Sequence, residues 1–346
     1  MPDSRPPRHV TISGDLGSGK SSVAAELSEM LGYPVVSTGS LQREIASSLQ
    51  MTTLEANLHA ESDWSIDDRI DGMTVRVARE ATGGIVFDSR MAWHFVPGAL
   101  KVWLTVDPYV AAQRVVGRGV AAAEHYGSVD EAFGAILDRS ASEGRRFKAI
   151  YGVDVAQLAN FDLVMDTSAL GVGEAAVLIA RAHARPPAPR RVLVCPRTVI
   201  PAFGHAADAG PRLRADARPS GSAGVGTRDQ VEDRDAVAVG ELDTAARIVA
   251  VHVRPFFFAV DGQVALAEAI AAGDAVVPVH VIAEGEEELP WGGSASSMVW
   301  TAGTDGAVRR WEDEHGVDLA GLRHYLGRRS GVPPQETQTG SGSPQR

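Results

Sequence analysis

A glycine-rich segment near the start of the chain carries the clearest chemical signal. The stretch TISGDLGSGKSSVAAEL, residues 11–27, places Gly14, Gly19, Lys20 and Ser21 in the pattern G-x-x-x-x-G-K-[ST]. In such a loop, backbone N–H groups and the positive end of the following helix hold phosphates. The lysine reaches the β- and γ-phosphates, and the serine hydroxyl binds Mg²⁺. The spacing predicts a nucleoside triphosphate site, with a plain strand–turn–helix as the alternative.

A carboxylate follows a second apolar segment. In GGIVFDSRMAW, residues 83–93, a buried strand leads directly to Asp88, with Arg90 two residues later. Open α/β sheets bind ligands at the carboxyl ends of their strands. Asp88 is thus a candidate to hold a water on Mg²⁺, and Arg90 to face the transferred phosphate. The alternative is a helix cap followed by a surface arginine.

A third segment places hydroxyl-bearing residues a few positions before an arginine. In LGYPVVSTGSLQREIA, residues 31–46, a strand ends in Ser-Thr-Gly and a helix carries Arg43 one turn later. That placement can hold a phosphate against a hydroxyl-lined pocket. An ordinary helix capped at Ser37, Thr38 or Ser40 explains the same spacing.

Arginines cluster in two later helical segments. Arg114 and Arg118 lie four residues apart on one predicted helix face, and Arg139, Arg145 and Arg146 crowd into two turns. Phosphoryl transfer needs cations because charge spreads over the moving group, and a mobile arginine-bearing lid supplies them and excludes water. The alternative for each arginine is a solvated helix face.

Alternating strands and helices must position these residues. Between residues 9 and 184, the segments HVTISG, PVVST, GIVFDS, LKVWLTV and DLVMDTS are predicted strands with helical patterns between them. Such alternation predicts an α/β fold, a P-loop three-layer parallel sheet with helices on both faces.

The rest of the chain predicts a smaller C-terminal α+β domain. Residues 1–8 form a disordered start, 185–231 a linker with the strand RVLVC and a mobile loop over 205–231, and 329–346 a disordered tail. Between them, residues 232–328 contain the strands IVAVHV, FFFAVDG and VVPVHVI, the helix QVALAEAIAAGD and one closing helix over 306–329. We assign this unit a binding or regulatory role, for a ligand, a protein partner or self-association.

The composition of the chain excludes several classes of function and of binding site. The chain has 346 residues, a formal net charge of -11 and one cysteine, Cys195. The negative charge argues against non-specific nucleic-acid binding. The single cysteine excludes an internal disulfide framework and a cysteine-based zinc site, and it fits a reducing compartment. Without a signal sequence or a long apolar run, the chain is expected to be cytoplasmic, with no membrane partner.

The first half resembles a known family. Residues 9 to about 182 look like cytidylate kinase, in particular its short, archaeal-type branch. The segments that carry this resemblance are TISGDLGSGKSSVA, STGSLQREIA, WSIDDRIDG, IVFDSRMAW, KVWLTVDPYVAAQRVVGR, RSASEGRRFKAIYGVDV and FDLVMDTS. The most specific is the pattern E-x-x-R-[FY]-x-x-x-Y-G-[IV]-D, which begins at Glu143 and ends at Asp154.

The resemblance implies transfer of the ATP γ-phosphate to CMP or dCMP, with ATP and Mg²⁺ as cofactors. It implies a donor site made by Gly14, Asp15, Leu16, Gly17, Ser18, Gly19, Lys20, Ser21, Ser22, Arg114, Arg118 and Thr167. It implies an acceptor site made by Ser37, Gly39, Arg43, Asp67, Arg69, Arg90 and Arg146. The predicted catalytic residues are Lys20, Asp88, Arg90, Arg139 and Arg145, and the predicted metal site is Ser21 with Asp88.

Two departures leave other functions open. The segment Asp88-Ser89-Arg90 carries a serine where the family has glycine, and Asp166 stands where an asparagine precedes the threonine. A P-loop kinase for another small molecule, or an ATP-binding regulator with little turnover, therefore stays an alternative. In the second half, the segment FFFAVDGQVALAEAIAAGDAVVPVHVI weakly resembles the ParB/sulfiredoxin-like fold, but it lacks the histidine and arginine of that motif.

Overall fold

The structure is a computed structural model that describes residues 8–39, 65–117, 126–185, 189–202, 246–299 and 306–330. Its strands are β1 Val10–Gly14, β2 Val35–Ser37, β3 Val86–Asp88, β4 Leu100–Thr105, β5 Leu163–Asp166, β6 Arg191–Val194, β7 Ile200–Pro201, β8 Ile248–Val253, β9 Phe256–Asp261 and β10 Val277–Glu284. Its helices are α1 Lys20–Leu31, α2 Ser65–Glu80, α3 Ala92–Phe95, α4 Pro108–Gly117, α5 Val129–Tyr151, α6 Val172–His183, α7 Gln263–Ala272, α8 Gly306–His315 and α9 Ala320–Ser330.

The strands of the first half form a parallel sheet, as predicted. The described strands make one sheet in the order β2-β3-β1-β4-β5-β6-β10-β8-β9-β7, and every pairing from β2 to β6 is parallel. The helices α1 and α6 cover one face, where Val23 and Leu27 pack with Leu178 and Ile179. The other face is covered in part by α5, through Phe147. The predicted three-layer α/β arrangement is thus observed.

The C-terminal strands extend this sheet. The strand β6, predicted within the linker, pairs parallel with β5 on one side and antiparallel with β10 on the other. One buried cluster joins Phe161 and Val164 of the first half to Phe257 and Leu266 of the second. The predicted α+β elements are therefore the far end of the same sheet. A division into two folding units remains a prediction, and the predicted loop at 205–231 lies outside the described residues.

The prediction of a single closing helix over 306–329 was wrong, because the structure contains two helices there, α8 and α9. Gly316 follows α8 in the left-handed conformation, with φ 59°. Glu312 stabilises the turn between α8 and α9, because its Oε1 accepts a hydrogen bond from the backbone N–H of Leu319 at 2.8 Å. Glycine at such a position ends a helix readily, whereas other residues are strained there.

The described helices include none that combines the length and the apolar character needed to cross a membrane.

Candidate active site

The phosphate-binding loop connects β1 to α1, and two of its glycines are required by close packing against β4 and α4. At Gly14, whose φ is 148°, a Cβ would lie 2.1 Å from the carbonyl oxygen of Leu104. At Gly17, whose φ is 80°, a Cβ would lie 2.8 Å from the Cβ of Ala111. Any side chain at Gly14 would thus force β1 and β4 apart. The loop keeps its shape because only glycine fits there.

The lysine of the loop lies over the loop's own backbone. Lys20 Nζ donates hydrogen bonds to the carbonyl oxygens of Gly14 at 2.9 Å and Asp15 at 2.7 Å. Burial, with a contribution from the positive charge of Arg90, lowers the pKa of Lys20 to about 8. The ammonium is therefore poised to gain an anionic partner, because a bound phosphate would offset both effects.

Two hydroxyl groups and a carboxylate meet beside the loop. Ser21 Oγ donates to Asp88 Oδ2 at 2.7 Å, and Ser37 Oγ donates to the same oxygen at 3.4 Å. Asp88 is buried at the end of β3, whereas Ser21 is exposed. Oxygen ligands of this kind suit Mg²⁺, which also keeps waters and substrate phosphates in its coordination shell. The described residues include no cluster of three or more histidine, cysteine or acidic residues that could hold a metal ion alone.

Three charged side chains form a second cluster, between β3 and α5. Glu143 pairs with Arg90 and also accepts a hydrogen bond from Arg139 Nε at 2.9 Å. Burial opposes ionisation of Glu143, but the two arginines outweigh it and lower its pKa. Burial lowers the pKa of Arg90, and the positive charges of Arg139 and Arg146 act in the same direction. The cluster therefore concentrates positive charge close to Asp88.

The ion pair between Arg146 and Asp67 contains buried polar atoms that lack a hydrogen-bond partner among the described residues. Arg146 Nη2 lies 4.0 Å from Asp67 Oδ1. Within the described residues, Asp67 Oδ2 and Arg146 Nε are buried and make no hydrogen bond. Unpaired buried polar atoms are costly, and a native structure that contains them commonly has a ligand or water to satisfy them. Asp67 and Arg146 are two of the predicted acceptor residues.

Arg114 and Thr167, the residue after β5, contact each other and the phosphate-binding loop. Arg114 Nη2 donates to the carbonyl oxygen of Thr167 at 2.6 Å, and its Nη1 approaches the carbonyl oxygen of Gly17 at 3.4 Å. Thr167 Oγ1 in turn donates to the carbonyl oxygen of Ser18 at 3.0 Å. The predicted donor residues Arg114 and Thr167 thus lie against the loop.

The remaining predicted residues fall into three groups. Arg69 and Arg145 are exposed on α2 and α5, and the described contacts do not join either side chain to the centre. Gly39 lies two residues after Ser37, and Leu16 and Ser22 belong to the loop itself and to the first turn of α1. Arg43 and Arg118 lie outside the described residues.

The serine that replaces the family glycine hydrogen-bonds to the backbone at the start of α3. Ser89 is buried, and its Oγ accepts hydrogen bonds from the backbone N–H groups of Met91 at 3.2 Å and Ala92 at 3.1 Å. Its side chain therefore satisfies two backbone N–H groups at the start of α3, and its carbonyl oxygen accepts a hydrogen bond from Ser13 Oγ at 2.6 Å. The hydroxyl group is engaged in these backbone contacts.

Three residues make contacts in or near the candidate site that the sequence did not predict, namely Glu143, Tyr151 and Arg254. Glu143 was part of a recognised motif, but its charge pairing was not anticipated. Tyr151 donates a hydrogen bond to Asp71 at 2.7 Å, which joins α5 to α2. Arg254, from the C-terminal half, contacts Asp15 at 2.8 Å. No sequence signal could have found this last contact, because the two residues are 239 positions apart.

Comparison with known proteins agrees with this geometry. The profile of the cytidylate kinase-like family matches residues 9–169. A cytidylate kinase of Pyrobaculum arsenaticum is 38% identical over 168 residues, which are 48% of this chain and 87% of that protein. A cytidylate kinase of Ignicoccus hospitalis is 39% identical over 165 residues, which are 47% of this chain and 91% of that protein. A solved shikimate kinase from Bacteroides thetaiotaomicron is similar at TM-score 0.36 and 14% identity, covering 51% of this chain and 99% of its own. Through its first half, the chain belongs to the cytidylate kinase-like family.

Proposed function

We propose that the protein is an ATP-dependent nucleoside monophosphate kinase that transfers the γ-phosphate of ATP to CMP or dCMP. The observation that carries this proposal is the meeting of the loop lysine, the Ser21–Asp88 pair and the Arg90–Glu143–Arg139 cluster at one edge of the sheet. Phosphoryl transfer depends on positioning and on charge stabilisation, and this edge supplies both.

The donor phosphates would lie on the loop between β1 and α1. Backbone N–H groups at the start of α1 and the Lys20 ammonium would bind them. Ser21 and Asp88 would hold Mg²⁺, which neutralises negative charge on the β- and γ-phosphates when it is bound. Arg114 would contact the bound nucleotide, and its hydrogen bonds to the carbonyl oxygens of Gly17 and Thr167 support this role.

The acceptor would lie between α2, β3 and α5. Arg90 and Arg139 would stabilise the charge that spreads over the transferred phosphoryl group, with Glu143 holding both guanidinium groups in place. Asp67 Oδ2 and Arg146 Nε, which make no hydrogen bond within the described part of the chain, would be satisfied by polar groups of the acceptor nucleotide. The contacts of Ser89 are compatible with activity, because its Oγ is held by the backbone N–H groups of Met91 and Ala92 at the start of α3.

Coupled measurement of ADP release with ATP and Mg²⁺ tests the proposal. We expect turnover with CMP or dCMP well above that with UMP or AMP, and loss of turnover in Lys20→Ala. Arg181→Ala, an exposed substitution on α6, is the matched control and should behave as wild type. No ADP release with any nucleoside monophosphate would contradict the proposal. If ATP still bound in that case, the alternative of an ATP-binding regulator would be favoured.

A cytoplasmic location is part of the same proposal, and it is supported by the single buried and unpaired thiol, Cys195.

A further inference from the structure

The phosphate-binding loop contains a negative charge that a triphosphate must approach. Asp15 is the first residue after Gly14, and its side chain is 13% exposed. Its carboxylate acts on the Lys20 ammonium, since the charge of Asp15 is one of the influences that raise the pKa of Lys20. A carboxylate whose charge reaches the phosphate-binding lysine would also repel the donor phosphates unless another group neutralised it.

The neutralising group comes from the C-terminal half. Arg254 Nη2 donates to Asp15 Oδ1 at 2.8 Å and to Ser140 Oγ of α5 at 2.9 Å. The other carboxylate oxygen of Asp15 accepts a hydrogen bond from Thr105 Oγ1 at 2.7 Å. The guanidinium carbon of Arg254 also lies 5.5 Å from the ring centre of Trp103. Contacts to α5 and β4 thus fix the ion pair from both sides.

Packing across the face of the sheet brings Arg254 to this position. Residues 254 and 255 form the turn between the antiparallel strands β8 and β9, and four strands separate β8 from β1 in the sheet order. Phe257 of β9 packs in the same buried cluster as Trp103 of β4, and this packing brings the turn close to the phosphate-binding loop. His252, two residues earlier, is buried, and burial together with the charge of Arg254 lowers its pKa to about 4. Arg254 is therefore the positive charge of this turn at neutral pH.

We infer that Arg254 is a positioning residue of the donor site, which neutralises Asp15 in the phosphate-binding loop so that an anionic triphosphate can bind. This inference rests on the proposed function only in taking ATP as the ligand of the loop. It makes the C-terminal half a part of the donor site, in addition to any separate binding role.

Removing the two charges singly and together tests the inference by equilibrium binding. Affinity for Mg-ATP is measured by calorimetry without an acceptor nucleotide, for wild type, Arg254→Ala, Asp15→Asn and the double variant. We expect Arg254→Ala to weaken binding by about tenfold, which corresponds to ~1.4 kcal/mol. The double variant should recover affinity to within about threefold of wild type, because no unpaired carboxylate remains.

The rescue separates an electrostatic role from a merely structural one. If Arg254 only supported the fold, the double variant would bind ATP as poorly as Arg254→Ala, and the inference would be overturned. A cavity of about 430 Å³ already borders Asp15 and Arg254, so truncating the arginine opens no sealed void in the core. Thermal unfolding of each variant reports whether it folds.

Two further results complete the test. Arg247→Ala is the matched control in the same half, because Arg247 pairs with Glu268 on the surface at 2.9 Å, and it should leave ATP affinity unchanged. The defect of Arg254→Ala should also shrink in high salt, where charge repulsion is screened. Wild type that binds ATP but phosphorylates no acceptor would refute the proposed function alone. Wild type that binds no ATP would overturn both proposals.

Discussion

At the scale of single residues, the lowered pKa of Lys20 predicts that the protein takes up a proton when ATP binds. Its pKa is lowered to about 8, mainly by burial, so above that pH most of the free protein has a neutral lysine. A bound phosphate favours the charged form and raises the pKa. Affinity for ATP should therefore fall as pH rises through 8, and binding at pH 8.5 should take up a proton. Calorimetry in buffers of different ionisation enthalpy measures this uptake.

The control for that experiment is Lys20→Arg, which retains its charge at every accessible pH. Proton uptake should disappear in this variant, and its residual ATP affinity should show little change between pH 7 and pH 9. Equal proton uptake in wild type and variant would show that another group titrates, and it would contradict the assignment to Lys20.

Glu143 gives a second prediction at the same scale. Glu143→Gln removes the negative charge that pairs with both Arg90 and Arg139. Without it, the two guanidinium groups repel one another and lose their fixed orientation, so kcat should fall by about 10- to 100-fold. The KM for ATP should change less, because the cluster lies outside the phosphate-binding loop.

Steady-state kinetics with CMP and ATP check this split between kcat and KM. Glu29→Gln, an exposed substitution of the same type on α1, is the control and should leave both constants unchanged. A Glu143→Gln variant with wild-type kcat would show that Glu143 does not hold the arginines for the chemical step.

At the scale of elements, two glycines should respond oppositely to the same substitution. Gly72 lies within α2, and the space that a Cβ would occupy there is open, so Gly72→Ala should raise the free energy of unfolding by about 0.5–1 kcal/mol. Gly316 has a φ of 59° between α8 and α9, so Gly316→Ala should lower it by about 1 kcal/mol. Urea unfolding of both variants measures these changes. A destabilised Gly72→Ala or a stabilised Gly316→Ala would contradict the helix assignments.

Periodicity predicted most elements, because apolar spacing in a segment reports directly on local structure. The strand and helix around the phosphate-binding loop, the strand before Asp88 and the long helix with Glu143 are all observed. The break at Gly316 was missed because the apolar pattern continues on both sides of it. The joining of the halves through β6, and the contact between Arg254 and Asp15, depend on tertiary packing that no local pattern encodes.

At the scale of the whole molecule, the shared sheet predicts one cooperative unfolding transition. The strand β6 is hydrogen-bonded to β5 and β10, and Leu266 packs into the same buried cluster as Val164. Two independent domains would instead melt separately. We therefore expect a single calorimetric transition that ATP shifts upward as a whole, since ligand binding to the native state stabilises everything that unfolds with it.

A cavity introduced into the C-terminal half makes the test specific. Leu266→Ala should cost about 2–5 kcal/mol, because it removes a fully buried side chain from that cluster. If the sheet unfolds as one unit, this variant lowers the melting temperature of the entire protein, including the ATP-stabilised part. Two transitions, of which ATP shifts only one and Leu266→Ala only the other, would instead show that the halves fold independently. The contact of Arg254 with the phosphate-binding loop favours the first outcome, because it places part of the donor site on the C-terminal side of the sheet.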